Sequence, residues 1–167
     1  LGNYLSQTKH SPIDESHPAV KEVIGEVEEK LKRLSNAPNP THHPDYFHRK
    51  LGAIIWDYCG MSRTEAGLKK ALEEIPKLRK QFWNEVRIPT NSGEVNPTLE
   101  KAYRIADFFE LGELMCKDAL DRDESCGAHF REEHQTEDGE AKRNDAEYSY
   151  VAAWEFTGDT ANPKLNK

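Results

Sequence analysis

Residues 50–75 read KLGAIIWDYCGMSRTEAGLKKALEEI and contain the connection that decides the fold. Apolar residues recur three and four positions apart before Gly60 and again after Glu65, which is the pattern of two amphipathic helices. Gly60 is expected to end the first helix in a left-handed C-cap, and Ser62 with Glu65 forms a capping-box pattern for the next. Because the link is so short, the two helices must lie antiparallel and in contact.

Two more helices flank this pair. One begins at Pro18, a residue type that suits the first helical turn, and ends before Asn36. The other has Asn96 as its N-cap and runs to about Leu120. The helix after the short link contains Pro76, but its apolar stripe stays in phase on both sides, so we expect one continuous helix.

These patterns predict a mainly α fold. Three long antiparallel helices form a bundle like a spectrin repeat, preceded by one helix and followed by an irregular segment. Aromatic and β-branched residues predict a short strand in residues 148–156, after a polar loop over residues 136–147. The chain is therefore divided into residues 1–17, an element end and a linker, residues 18–121, the helical bundle, and residues 122–167, a C-terminal extension.

Composition restricts the possible functions. The net charge is −7 and positive residues occur amid acids, so a nucleic-acid partner, which needs a basic face, is not expected. No apolar run approaches the length of about 18 residues that a membrane-spanning helix needs. The three cysteines have no paired spacing, which favours reduced thiols over a disulfide framework.

The stretch DRDESCGAHFREEHQ, residues 121–135, has the density of ionisable groups expected of an active site. A zinc site there would use His129 and His134, but these are five residues apart, about 140° around a helix. Neither H-E-x-x-H nor its inverse occurs. The histidines at positions 42, 43 and 48, in THHPDYFH, are interpreted as loop and capping residues.

Cys126 is the only candidate nucleophile in that stretch, because Arg122 and His129 beside it could lower the pKa of its thiol. No oxyanion-hole motif, phosphate-binding glycine loop or G-x-S-x-G sequence accompanies it. The sequence therefore lacks a complete catalytic set. Alternating arginines and carboxylates instead predict an ion-pair cluster that connects the end of the last long helix to a neighbouring surface.

Two motifs resemble those of one protein family. RDESCGAHFREE is similar to the R-x-E-S-R-G-x-H-x-R-x-D/E motif of succinate dehydrogenase and fumarate reductase flavoprotein subunits. CGMSRTE is similar to the C-G-x-x-R-T motif of the same family. The chain departs from the pattern at Cys126, where the family often has arginine. The matching residues are Arg122, Glu124, Ser125, Gly127, His129, Arg131 and Glu133 in the first motif, and Cys59, Gly60, Arg63 and Thr64 in the second.

The resemblance implies a C-terminal structural and docking domain of a subunit that interconverts succinate and fumarate by hydride transfer at FAD. It implies that residues 1–5 are the last turns of the flavin domain, and that FAD and the catalytic residues belong to upstream flavin-binding and capping domains. No catalytic, cofactor-binding or metal-binding residue is then expected in this chain. The implied partners are those upstream domains, an iron–sulfur subunit and a membrane anchor, with the chain at the cytoplasmic face of the membrane and not inserted in it.

Three alternatives remain at this point. The chain could be the C-terminal domain of an L-aspartate oxidase-like flavoenzyme, which shares the architecture. It could also be a stand-alone helical interaction module, or a small metal-dependent hydrolase that uses His129 and His134.

Overall fold

The computed structural model describes residues 1–8, 13–89, 95–159 and 161–167, and the chain is mainly helical in these ranges. This confirms the predicted fold class. The elements are α1 (Gly2–Gln7), α2 (Pro18–Ser35), α3 (Pro44–Cys59), α4 (Glu65–Glu85), α5 (Pro97–Asp121), α6 (Asp145–Tyr148), β1 (Ala153–Glu155) and β2 (Lys164–Asn166).

The long helices α3, α4 and α5 pack against one another in pairs and enclose the core. Each helix contributes one fully buried phenylalanine. The Phe82 ring lies 5.3 Å from that of Phe47, edge-to-face, and 5.4 Å from that of Phe109. These aromatic contacts add to the burial of aliphatic side chains and fix the relative positions of the three helices. Leu68, Ile75 and Ile105 are also fully buried in the bundle.

Side-chain caps begin three of the long helices where the sequence predicts a start. Asn96 Oδ1 accepts hydrogen bonds from the backbone N–H groups of Thr98 and Leu99, both at 3.1 Å. His17 and His43 cap α2 and α3 through their Nδ1 atoms. Each cap satisfies backbone donors that have no partner inside the helix.

The capping-box prediction for α4 was wrong in its N-cap residue. The N-cap is Thr64, whose Oγ1 accepts the N–H of Gly67 at 3.0 Å. Ser62 instead donates its hydroxyl to Glu132 Oε1 at 2.5 Å. The local sequence could not show this, because the partner of Ser62 lies 70 residues away.

Helix α4 continues through Pro76, as predicted. Gly60 follows the last residue of α3, but the predicted left-handed C-cap was wrong, since its φ is −75°. Glycine is required there for another reason. A Cβ atom at Gly60 would lie 2.6 Å from the backbone oxygen of Trp56.

Helix α2 packs on α5 only through its C-terminal half. Leu34 is fully buried, and Lys30 forms an ion pair of 2.5 Å with Asp107 of α5. The predicted apolar stripe of α2 is exposed at Val23, Ile24 and Val27. A second stripe, on α5, is exposed at Phe108, Leu111 and Met115, which are three and four residues apart and so share one face. We call these six residues the two apolar stripes.

The C-terminal extension ends in an antiparallel ribbon, in which Trp154 of β1 faces Leu165 of β2. Trp154 Nε1 donates to Asp118 Oδ1 at 2.7 Å, which attaches the ribbon to α5. The strand predicted over residues 148–156 was too long, and α6 begins inside the segment predicted to be loop over residues 136–147.

Candidate functional site

Residues 122–134 fold between the C-terminal end of α5 and the turn that joins α3 to α4. They bring together the two motifs found in the sequence. We call the ionisable side chains of this region the ion-pair cluster: Arg63, Arg122, Glu124, His129, Arg131 and Glu133.

The backbone holds this segment against the α3–α4 turn. Arg63 N–H donates to Phe130 O at 3.0 Å, and Glu132 N–H donates to Arg63 O at 2.9 Å. Cys126 and His129 exchange two backbone hydrogen bonds around a tight turn. Gly127 in that turn has a φ of 60°, a backbone conformation that residues other than glycine rarely adopt.

Arg131 lies at the centre of the cluster, and its side chain is 1% exposed. Its Nη1 donates to the carbonyl oxygen of Ala119 at 3.2 Å, in the last turn of α5. Its Nε donates to Glu133 Oε2 at 3.1 Å, and its Nη2 lies 3.5 Å from Asp123 Oδ1. A guanidinium group placed at a helix C-terminus stabilises the unpaired carbonyl groups there.

Glu124 is also buried, and both carboxylate oxygens are occupied. Oε1 accepts from Arg122 Nε at 3.0 Å, and Oε2 accepts from the Asn144 backbone N–H at 2.7 Å. Arg122 Nη2 donates in turn to Tyr148 O at 2.8 Å. This pair connects the end of α5 to α6, an arrangement that sequence analysis missed because no pattern marks backbone groups at residues 144 and 148 as partners.

His129 connects the two motifs. Its Nδ1 is 2.9 Å from Arg63 Nη1, and its Nε2 is 2.8 Å from Arg122 O. A guanidinium nitrogen can only donate, so Nδ1 accepts and the proton is on Nε2. Burial, followed by the charges of three nearby arginines, lowers the pKa of His129, against the opposing effect of the bond to Arg122 O. His129 is therefore held as the neutral imidazole.

Glu133 and Ser125 complete the region. Glu133 Oε1 accepts the N–H of Glu65 at 2.7 Å, in the first turn of α4. Burial raises the pKa of Glu133, but the hydrogen bonds from Glu65 and Arg131 outweigh it and hold that pKa below its ordinary value. Ser125 Oγ accepts from Arg131 N–H at 2.8 Å and donates to Arg131 O at 3.1 Å.

The thiol groups of the cysteines form no hydrogen bond to the side chains of the cluster among the contacts of the described residues. All three are free, and Cys59 and Cys116 are buried where α3 meets α5. A hydrogen bond with Cys59, together with burial, raises the pKa of the Cys116 thiol. Cys126, the candidate nucleophile, is half-buried and contributes its backbone groups to the turn with His129.

The other histidines have separate structural contacts. His43 caps α3 as predicted, and the His42 ring stacks on Tyr46 with centroids 4.1 Å apart. His134 Nε2 lies 2.7 Å from Asp123 Oδ1, while both ring nitrogens of His129 are occupied by other protein groups. In the described part of the chain, no group of three histidine, cysteine or acidic side chains is placed to hold a metal ion.

Two apolar side chains, one in the last turn of α3 and one in the α3–α4 turn, project into solvent beside the cluster. Trp56 is 81% exposed and Met61 is 91% exposed. They line a depression of about 550 Å³ together with Gly60 and Ala128. Exposed tryptophan and methionine next to each other are typical of a protein-binding surface. The arrangement is thus chemically suited to holding a docking surface in position.

Comparison with known proteins identifies a related family. A family model described as the C-terminal region of the fumarate reductase flavoprotein matches residues 48–167. An uncharacterized FAD-dependent oxidoreductase of Methanocaldococcus jannaschii is 36% identical over 83 residues, which are 50% of this chain and 14% of that protein. The flavoprotein subunit of 8-methylmenaquinol:fumarate reductase from Wolinella succinogenes is 29% identical over 125 residues, 71% of this chain and 18% of that subunit.

A similar fold occurs among solved structures. A quinol–fumarate reductase with menaquinol molecules matches 93% of this chain and 26% of its own chain, with a TM-score of 0.74 and 24% identity. This chain therefore spans about a quarter or less of the length of these proteins. Across the described ranges, no helix combines the length and the hydropathy needed to cross a membrane.

Proposed function

The chain belongs to the family of fumarate reductase flavoprotein C-terminal regions, and from this membership we propose that it is a structural and docking domain. Its parent would be a flavoprotein subunit that interconverts succinate and fumarate. In this proposal residues 18–121 form the docking bundle, residues 122–167 an extension that braces it, and residues 1–17 the end of the flavin domain and a linker.

The observation that carries this proposal is the uncovered apolar surface of an otherwise well-packed bundle. Leu111 of α5 is 54% exposed and Val23 of α2 is 55% exposed, each within one of the two apolar stripes. Trp56 and Met61 add a third exposed apolar site. Extended apolar surfaces of this kind are usually covered by another protein surface. The flavin and capping domains of the parent subunit would supply that cover.

The ion-pair cluster would act indirectly in docking. Arg131 and Glu124 are buried within this chain, so their side chains are not available to a partner. The cluster would instead fix the α3–α4 turn relative to the end of α5; Met61 is in that turn, and Trp56 is in the last turn of α3 just before it. A substitution in the cluster would then weaken docking by moving the turn.

The chemistry of the parent subunit would lie outside this chain. FAD, which accepts or donates a hydride, would be bound by the upstream domains together with the substrate. Electrons would pass between the flavin and an iron–sulfur subunit held by a membrane anchor at the cytoplasmic face of the membrane. The Wolinella succinogenes relative is the flavoprotein subunit of an 8-methylmenaquinol:fumarate reductase, which supports the proposal that the parent subunit acts on fumarate.

The test is a complementation experiment with two polypeptides. This chain is expressed alone, and also together with the flavin and capping domains of the parent subunit. We expect the chain alone to be colourless and inactive, and the pair to co-purify with flavin and to oxidise succinate or reduce fumarate. Leu111→Glu should reduce co-purification strongly, because it places a charge in an apolar contact. Lys77→Glu, on the exposed surface of α4, is the matched control and should not.

A yellow chain that oxidised succinate without the other domains would refute the proposal. Equal co-purification of the Leu111→Glu and Lys77→Glu variants would refute the assignment of the stripe on α5 as the docking surface.

A further inference from the structure

A groove on the side of α4 is positively charged although the whole chain is acidic. It has a volume of about 600 Å³ and lies between α4, the end of α2 and the loop that follows α2. Its polar and aromatic lining residues are Arg33, Asn36, Arg79, Lys80, Trp83 and Asn84. We call it the basic groove. No carboxylate lines it, while the net charge of the chain is −7.

Within the described ranges, two of its three cations have no carboxylate at ion-pair distance. Arg79 is 3.0 Å from Glu113 Oε2, so its charge is compensated. The guanidinium of Arg33 stacks on the ring of Trp83, 4.0 Å from its centroid. Among the described residues, neither Arg33 nor Lys80 forms an ion pair with a carboxylate. Stacking on an aromatic ring leaves the edge of a guanidinium free to donate hydrogen bonds.

The amide of Asn84 adds a hydrogen-bond donor at the groove, whereas the Nδ2 group of Asn36 already donates to Lys32 O at 2.7 Å. Asn84 Oδ1 accepts from Asn39 Nδ2 at 3.1 Å, which leaves the Asn84 Nδ2 group as a donor. Guanidinium, ammonium and amide donors together match a ligand that only accepts hydrogen bonds, and a carboxylate does so. Pro38, Pro76 and the Trp83 ring supply apolar surface between these donors.

We propose that the basic groove binds a carboxylate-rich peptide segment of a partner protein. The volume is much larger than one small anion needs, and the apolar surface between the cations suits the aliphatic parts of glutamate side chains or an intervening leucine. The binding requires neither flavin nor the upstream domains, so it is independent of the proposed function. The partner segment would approach the side of α4 and not the two apolar stripes.

The nuclear magnetic resonance signals of the tryptophan indole N–H groups provide a direct test of peptide binding to the whole chain. It contains three tryptophans, at positions 56, 83 and 154, and only Trp83 lines the groove. The probe is a synthetic peptide of glutamates with one leucine, and its control is the same peptide with glutamine for glutamate. In nuclear magnetic resonance spectra of the 15N-labelled chain, we expect the glutamate peptide to shift the indole N–H signal of Trp83 in a saturable way. The signals of Trp56 and Trp154 should stay in place.

Charge reversal then tests the assignment. Arg33→Glu with Lys80→Glu should weaken binding about tenfold, because each exposed charge pair contributes modestly and is here replaced by repulsion. Lys77→Glu reverses one charge on α4 outside the groove and should alter the affinity less than about twofold, so it is compared with each of the two single variants, Arg33→Glu and Lys80→Glu.

Three results would overturn the proposal. The first is the absence of any Trp83 shift, or a shift that the double variant leaves unchanged. The second is equal binding of the glutamine peptide, which would indicate apolar recognition. The third is the same saturable shift with inorganic phosphate at similar concentrations, which would indicate a site for small anions.

Discussion

Replacing Arg131 by methionine removes the central charge of the ion-pair cluster while keeping most of the side-chain volume. The side chain of Arg131 is 1% exposed, so solvent cannot replace the hydrogen bonds that it makes. The carbonyl oxygen of Ala119, at 3.2 Å, loses a charged donor at the end of α5. Glu133 and Asp123 lose a partner, but they are 39% and 59% exposed and can be rehydrated.

The expected loss follows from these contacts. A buried hydrogen bond from a charged group is worth about 1.5–3 kcal/mol, and the ion pairs to exposed carboxylates add less than about 1 kcal/mol each. Methionine fills most of the vacated space, so the cavity contribution is small. We therefore expect Arg131→Met to lower the free energy of unfolding by about 3 kcal/mol. This corresponds to a decrease in Tm of about 6–12 °C for a chain of this size.

Urea denaturation of the isolated chain, followed by far-UV circular dichroism, measures this loss. Arg143→Met is the matched control, because Arg143 forms an ion pair of 2.8 Å with Asp145 while both side chains are exposed. The control should change the free energy of unfolding by less than about 0.5 kcal/mol. If the two variants were equally stable, Arg131 would not hold the end of α5, and the internal role of the cluster would be refuted.

Two further predictions concern pH and the α3–α4 turn. The pKa of His129 is lowered in the folded chain, so the unfolded chain binds a proton at a higher pH than the folded chain does. The free energy of unfolding should therefore be constant above about pH 6.5 and decrease below it. His129→Gln should reduce that decrease in Tm measurements between about pH 7.5 and 5.5. An unchanged slope would contradict a neutral buried imidazole. Gly60→Ala should cost about 2 kcal/mol in urea denaturation, since its Cβ would lie 2.6 Å from Trp56 O. Gly52→Ala, where nothing lies within 4 Å, should instead add about 1 kcal/mol, and equal effects would contradict the close approach at Gly60.

The helices could be predicted from sequence because their signals are local. The apolar spacing after Pro18 and the cap at Asn96 each depend on residues within one or two helical turns. The prediction that α4 continues through Pro76 was correct, because the apolar periodicity continues beyond that residue. The prediction was less accurate over residues 148–156, where aromatic residues resemble a strand in composition although Tyr148 ends α6 and only residues 153–155 form a strand.

The cluster geometry depended on contacts between distant residues and was not predictable. The motifs indicated that arginines and carboxylates would pair, but not that Arg131 would contact the end of α5. The N-cap is Thr64 and not Ser62, because the Ser62 hydroxyl donates a hydrogen bond to Glu132, which tertiary folding brings near it. Gly60 was identified as a helix end, but its need for glycine arises from a close approach to Trp56 that no local rule contains.

His129 connects the two sequence motifs through hydrogen bonds. Its ring accepts a hydrogen bond from Arg63 in one motif and donates to the Arg122 carbonyl at the start of the other, across 66 residues of sequence. The Arg63–His129 contact is one of several between the two motifs, beside the backbone hydrogen bonds of Arg63 with Phe130 and Glu132. Loss of this contact should therefore loosen the α3–α4 turn and reposition Trp56, without unfolding the phenylalanine core. If docking uses this turn as proposed, a variant at His129 should weaken co-purification with the upstream domains more than it lowers the free energy of unfolding of the bundle.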